Sequence, residues 1–381
     1  MIRRHYERLI FEQMQLDNRV IVLYGPRQVG KTTLVRLLLE NFPGKVLTIN
    51  ADDTDYEQVL SSRSMQQLGQ LVSGYDLLFL DEAQRVPDIG INLKLLYDHL
   101  PSLKIIATGS SSFELANKIQ EPLTGRAWTF QLMPIGLCEL AETMNPFEMN
   151  LQLEDWLVFG AYPALFAIEN RQLKANYLQE IVRAYLFKDV LTIGNVKYPP
   201  KMRDLARLLA FQIGSEVSVN ELANRLQISR ETVVSYIDLL EKAFIVFRLS
   251  GYSRNLRKEI VRHDKIYFYD LGIRNAMIEN FSIIAKRDDG GKLWENFLIV
   301  ERIKTQTYRR EGVNRYFWRT YTGAEIDYVE ESGGQLQGFD FKFNLKTVRP
   351  PQSWTDNYPE ADFRTVNRDN YLDFVLASGE I

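Results

Sequence analysis

A nine-residue stretch near the start of the chain, Gly25-Pro-Arg-Gln-Val-Gly30-Lys31-Thr32-Thr33, restricts the fold more than any other feature. Its first eight residues satisfy GxxxxGK[ST] at every fixed position. They follow an apolar run, Val20–Tyr24, and open a helical pattern over Thr32–Leu39. A loop that curls backbone N–H groups around phosphate oxygens needs glycine where the main chain comes closest. The helix N-terminus behind it adds a favourable dipole. Gly25, Pro26, Arg27, Gln28, Val29, Gly30, Lys31, Thr32 and Thr33 are therefore the expected nucleotide-binding residues. Lys31 is expected to reach the β- and γ-phosphates and Thr32 to ligate Mg2+.

Such a loop sits at the tip of a buried strand, and the next strands follow from the pattern. Val46–Ile49, Leu77–Leu80 and Ile105–Thr108 are short apolar runs separated by helical patterns such as Ile91–Leu100. Near-continuous apolar strands alternating with helices read as a parallel sheet covered on both faces. Leu77–Leu80 runs straight into Asp81-Glu82. Asp81 at a strand tip is expected to hold the Mg2+ shell, and Glu82 to polarise the attacking water. A fifth run, Trp128–Leu132, ends at Pro134 and Gly136 and is expected to close this domain.

Composition narrows the setting. A chain of 381 residues with 45% apolar and 25% charged residues is long enough for two or three soluble domains. One cysteine, Cys138, excludes a disulfide framework and a cysteine-cluster zinc site, and three scattered histidines speak against a His-rich metal centre. No apolar run approaches the roughly 20 residues needed to span a bilayer, and the N-terminal residues lack a secretory signal, so a cytoplasmic location is expected. The net charge of −3 hides an asymmetry. Residues 174–274 carry 17 Lys/Arg against 11 Asp/Glu, whereas residues 1–150 carry 14 against 18. The middle of the chain is thus the part suited to an anionic partner.

That middle part reads as helix, turn, helix, strand. Asn220 and Ser229 are the expected caps, and Leu222, Ala223, Leu226, Val233, Ile237 and Leu240 the apolar face between two helices. Phe244–Leu249 and the basic stretch Tyr252–Lys265 would supply a wing. In a DNA-binding reading Arg230, Thr232 and Ser235 face a major groove, and Arg254, Arg257 and Lys258 meet phosphate. The same pattern also serves as a spacer or protein-contact module.

Toward the C-terminus, a helix at Leu293–Lys304 precedes strands around Tyr316–Thr320, Glu325–Glu330 and Gly338–Phe343, with Gly333-Gly334 as a hairpin turn. Alternation puts Glu325 with Asp327, and Asp340 with Lys342, on common faces. Glu295, Asp327, Asp340 and Lys342 together resemble a PD-(D/E)XK nuclease core, although Ile326 replaces the leading proline. That resemblance implies a second Mg2+ on Asp327 and Asp340, assisted by Glu295, with Lys342 orienting water.

The phosphate loop, Leu80-Asp-Glu-Ala-Gln84, Thr108-Gly-Ser110-Ser-Ser, Leu123-Thr-Gly-Arg126, Gly160-Ala-Tyr-Pro163 and Trp294-Glu-Asn-Phe297 together resemble the prokaryotic AAA-type ATPases with a C-terminal domain of unknown function. The resemblance implies that the Thr108 strand lies between the phosphate-loop and Asp81 strands. It also makes Ser110 a polar sensor and Arg126 an arginine finger or sensor. The resulting expectation is an α/β chain in three parts: a P-loop ATPase domain over 1–150, a helical and winged-helix segment over 151–285, and an α/β nuclease-like domain over 286–381. Its expected function is Mg2+-dependent ATP binding and hydrolysis coupled to DNA engagement, with a homo-oligomer as a further expectation and no membrane contact. Two alternatives stand beside it: a nucleotide-switched protein-interaction module that touches no DNA, and a metal-dependent nuclease regulated by ATP.

Overall fold

The computed structural model describes residues 2–110, 122–186, 190, 196–253, 264–321, 323–344 and 346–377. They form two compact units, one built chiefly of Met1–Pro134, the other of Ile135–Lys188, Val196–Glu241 and Ile245–Ile381.

The first unit is a five-stranded parallel sheet: β1 (Val20–Tyr24), β2 (Val46–Asn50), β3 (Leu77–Asp81), β4 (Lys104–Gly109) and β5 (Ala127–Gln131), in the order β2-β3-β4-β1-β5. The apolar runs become its strands because both faces are buried. Val20, Val22, Leu78, Leu80, Ile105 and Ala107 share one core with Leu93 and Leu96 of the helix Ile89–His99. β4 does lie between β1 and β3, as the family resemblance implies. One helix was not foreseen. α1 (His5–Leu16) turns Tyr6, Ile10 and Met14 inward, and the Tyr6 ring meets Phe130 of β5 edge-on at 5.2 Å.

The second unit packs helices against a six-stranded mixed sheet. Its helices Val219–Leu226 and Arg230–Lys242 bury Leu222, Ala223, Leu226, Val233, Ile237 and Leu240, the six apolar positions expected. The cap of the first is Ser218, whose hydroxyl accepts from the Glu221 N–H, and Asn220 lies inside the helix instead. Ser229 caps the second through the Thr232 N–H at 3.2 Å.

The strands assigned to a wing have a different setting. β6 (Val246–Gly251) and β7 (Lys265–Phe268) pair antiparallel, but β6 also runs parallel to β8 (Asn314–Arg319) through Ser250–Tyr316 and Gly251–Phe317. With β9 (Glu325–Ser332), β10 (Gln335–Phe341) and β11 (Asp362–Val366) they make one sheet, ordered β11-β10-β9-β8-β6-β7. Gly333 and Gly334, at φ 58° and 84°, form the expected hairpin turn between β9 and β10. Arg254, Arg257 and Lys258 lie outside the described residues.

Candidate nucleotide site and acidic cluster

The phosphate loop leaves the C-terminal end of β1 and feeds α2 (Lys31–Glu40). Gly25 is required by space: a Cβ there would lie 2.0 Å from the Leu132 carbonyl oxygen. Gly30 is required by conformation, with φ 92° at the helix N-cap. The Lys31 side chain is buried and folds back on the loop, donating to the carbonyls of Gly25 at 2.9 Å and Pro26 at 2.8 Å. Gln28 is exposed and Val29 fully buried; Pro26 is buried and Arg27 partly so. Thr33 occupies the first turn of α2.

Parallel strands deliver the acidic partners to the same end of the sheet. Thr32 Oγ1 donates to Asp81 Oδ2 at 2.8 Å, so the hydroxyl and carboxylate expected around Mg2+ are already neighbours. The other Asp81 oxygen accepts from the Thr108 hydroxyl and from the Glu82 N–H at 3.2 Å. Glu82 sits in the left-handed region at φ 53°, a strained backbone for a residue with a Cβ. Sequence reasoning missed Gln84. Its buried amide donates to Glu82 Oε2 at 2.5 Å and to Ser110 Oγ at 3.0 Å, linking the expected water-polarising carboxylate to the expected sensor. The fourth position of Asp-Glu-Ala-Gln was the available signal.

Arg126 has a different place. It precedes β5, whose register pairs Val20 with Ala127 and Tyr24 with Gln131. Arg126 therefore stands at the opposite end of the strand from the phosphate loop, roughly 16 Å away at the usual rise per residue. Its guanidinium donates to Asp98 at 2.8 Å and holds that carboxyl below the usual range. In this register Arg126 does not stand beside the phosphate loop of its own chain.

In the second unit, Glu295, Glu325, Asp327, Asp340 and Lys342 are gathered by the β9–β10 hairpin and the helix Gly290–Tyr308. Phe341 N–H donates to Asp327 Oδ2 at 2.7 Å, and Lys342 pairs with Asp340. Two residues outside the expected nuclease-like set enter here. Lys265 Nζ lies 2.5 Å from Glu325 and 3.3 Å from Glu295, and Tyr267 donates to Glu295 at 2.5 Å. Burial opposes the Lys265 charge, but Glu295 and Glu325 hold its pKa above the ordinary value. Burial, then Glu295 and Asp340, push Asp327 up to about 7. Crowded negative charge of this kind favours cations, and Lys265 and Lys342 both stand beside it. Among the described residues no three His, Cys, Asp or Glu side chains are grouped to hold a metal ion. The expected Glu295–Asp327–Asp340 metal set does not fit as these side chains stand.

Residues 17–141 match an AAA domain family. Residues 150–283 and 290–365 match two domains of unknown function, DUF8612 and DUF4143. An uncharacterized protein of Mycobacterium tuberculosis is 29% identical over 85% of this chain and 70% of its own length. One of Methanocaldococcus jannaschii is 24% identical over 82% of this chain and 72% of its own. Among solved structures, a Walker-type ATPase of Pyrococcus abyssi superposes with a TM-score of 0.50 at 17% identity, covering 73% of this chain and 96% of that one. The N-terminal part of the chain thus matches an AAA domain family in sequence and shares its fold with a Walker-type ATPase. No described helix is long and apolar enough to cross a membrane.

Proposed function

We propose that the protein is a Mg2+-dependent ATPase whose nucleotide state governs the second unit. The observation that carries this is the 2.8 Å contact between Thr32 and Asp81, which joins the phosphate loop to the acidic strand tip. Thr32 and Asp81 would hold Mg2+, and the ion would neutralise charge developing on the transferred phosphoryl group. The Lys31 ammonium exchanges its loop carbonyls for β- and γ-phosphate oxygens. Glu82 orients the attacking water, and Ser110 reports on the γ-phosphate. Arg126 would act in trans, as a finger offered to a neighbouring copy in a homo-oligomer.

DNA is the proposed partner of the second unit, through the exposed Arg230 and Ser235 beside the partly buried Thr232 on the helix Arg230–Lys242. In this reading the helices Val219–Leu226 and Arg230–Lys242 are the helix-turn-helix of a winged helix. Cleavage of DNA at Asp327, Asp340 and Lys342 is the second reading, favoured by their convergence with Glu295.

The deciding experiment measures phosphate release by full-length protein with and without duplex DNA, analysing the DNA for breaks. Lys31→Ala is expected to abolish turnover, and Glu82→Gln to bind ATP but not hydrolyse it. Normal turnover in Lys31→Ala would overturn the site; turnover indifferent to DNA would favour a nucleotide-switched protein-contact module. Breaks that require Asp340 would promote the nuclease reading.

A further inference from the structure

One buried cation beside the phosphate loop has no part in the chemistry above. Arg4 lies at the N-cap of α1 and is only 8% exposed. Its Nη1 donates to the Val29 carbonyl at 2.6 Å, and its Nη2 to the Met133 carbonyl at 2.6 Å. Val29 is the loop residue just before Gly30. Met133 follows β5, next to Pro134, where the main run of the first unit ends.

A phosphate loop turns its N–H groups inward toward the anion, which sends carbonyls outward. A buried carbonyl without a donor is costly, and Arg4 supplies the donor for Val29 from behind the loop. The front of the loop is fixed to the same segment by another route. Leu132 N–H donates to the Tyr24 carbonyl at 2.8 Å, and Gly25 packs on Leu132 too closely for any Cβ. Both ends of the loop are therefore tied to Leu132–Met133, one through the backbone and the other through a guanidinium. Arg4 itself is anchored because α1 buries Tyr6, Ile10 and Met14.

We propose that Arg4 is a positioning residue of the phosphate loop, coupling a bound nucleoside triphosphate to Leu132–Met133 and hence to the segment by which the chain leaves the ATPase unit. The inference rests on the nucleotide-site reading above. Arginine suits the task because its planar fork serves two carbonyls at once, whereas a lysine ammonium is a point charge on a flexible stem.

The test uses full-length wild type, Arg4→Ala and Arg4→Lys. Each is titrated with a fluorescent ATP analogue and Mg2+, and amide exchange is followed with and without that nucleotide. Wild type is expected to bind and to show slower exchange at Leu132 and Met133 when loaded. Arg4→Ala is expected to bind about tenfold more weakly or worse, a loss in the range of charge-assisted hydrogen bonds. At saturation it should still protect α2 while losing the response at Leu132–Met133, a split that general destabilisation would not produce. Arg4→Lys should fall nearer to alanine than to wild type. Wild-type affinity and a wild-type exchange response in Arg4→Ala would overturn the proposal while leaving the nucleotide site intact. Should Arg4→Ala fail to fold, wild-type behaviour in Arg4→Lys would overturn it equally. A wild type that binds no nucleotide would instead defeat the site reading on which the proposal stands.

Discussion

Glu82 is held in a strained conformation, and the group that holds its side chain is an amide rather than a charge. Gln84 reaches both Glu82 and Ser110 from a buried position. A neutral donor can orient a carboxylate without lowering its basicity as strongly as a cation would. On the proposed site, removing it should misplace the Glu82 carboxylate while leaving the proposed phosphate contacts of Lys31 and the loop untouched. Gln84→Ala is therefore expected to lower kcat about tenfold or more, a fraction of what a general base contributes, with nucleotide affinity nearly unchanged. Steady-state kinetics and a nucleotide titration on the same preparation check this. A large rise in KM with an unchanged kcat would show that Gln84 serves binding instead. The contrast with Asp81 is instructive about what a sequence exposes. Lys31, Thr32 and Asp81 were legible because phosphate chemistry demands those residue types in a set order. Gln84 and Arg4 were not, because phosphate chemistry demands no particular residue type at either position, and only the fold brings them to Ser110 and to Val29 and Met133.

Elements explain what the motifs of the second unit are for. Gly160, at φ 71°, would place a Cβ 2.1 Å from Asp270, and the Asp270 carboxylate accepts from Ala161 N–H at 2.8 Å and from Ile273 N–H at 3.1 Å. The turn at Gly160 and the cap of the helix Leu271–Met277 thus share one buried carboxyl. The neighbouring Gly272 is equally confined, since a Cβ there would lie 1.9 Å from the Phe159 carbonyl oxygen. Asn296 plays a matching part at the sheet edge, accepting from Phe268 N–H at 2.7 Å and donating to its carbonyl at 2.8 Å. Burial pushes Asp270 up to about 6, against the opposing pull of the N–H donors and Lys304. A carboxyl whose pKa is higher in the folded chain binds more protons there than when unfolded. Its contribution to stability is therefore lost as pH rises from the ordinary carboxyl range through about 6. Asp270→Asn removes the titration but also spoils one of the two acceptor contacts. Relative to wild type, the variant is expected to be least stable near pH 4 and to recover ground by pH 8. Thermal melts of both proteins across that range measure it, and a difference independent of pH would contradict the assignment.

The whole molecule divides less simply than its sequence does. The sequence places a boundary at 285 because a helix-rich stretch gives way to strands there, and hydrophobic alternation carries no record of which strands pair. The six-stranded sheet crosses that boundary, since β6 and β7 precede it and β8 to β11 follow. Lys265 shows why such a crossing escapes a linear reading: alone it is a polar residue opening a short apolar strand, and only pairing brings it to Glu295 and Glu325. Cutting the chain at 286 would have three consequences. β8 would lose its neighbour and become an exposed edge. Asn296 would lose both backbone partners on β7. Glu295, with a side chain 14% exposed in the full chain, would lose its lysine and its tyrosine. The fragment 286–381 is therefore expected to aggregate or to melt without a cooperative transition, whereas the fragment 135–381 should unfold cooperatively. Circular dichroism melts with size-exclusion chromatography on both fragments provide the comparison. A monomeric 286–381 with a sharp transition would mean that β6 and β7 dock on a sheet already stable without them, and the C-terminal segment would then regain its standing as an independent domain.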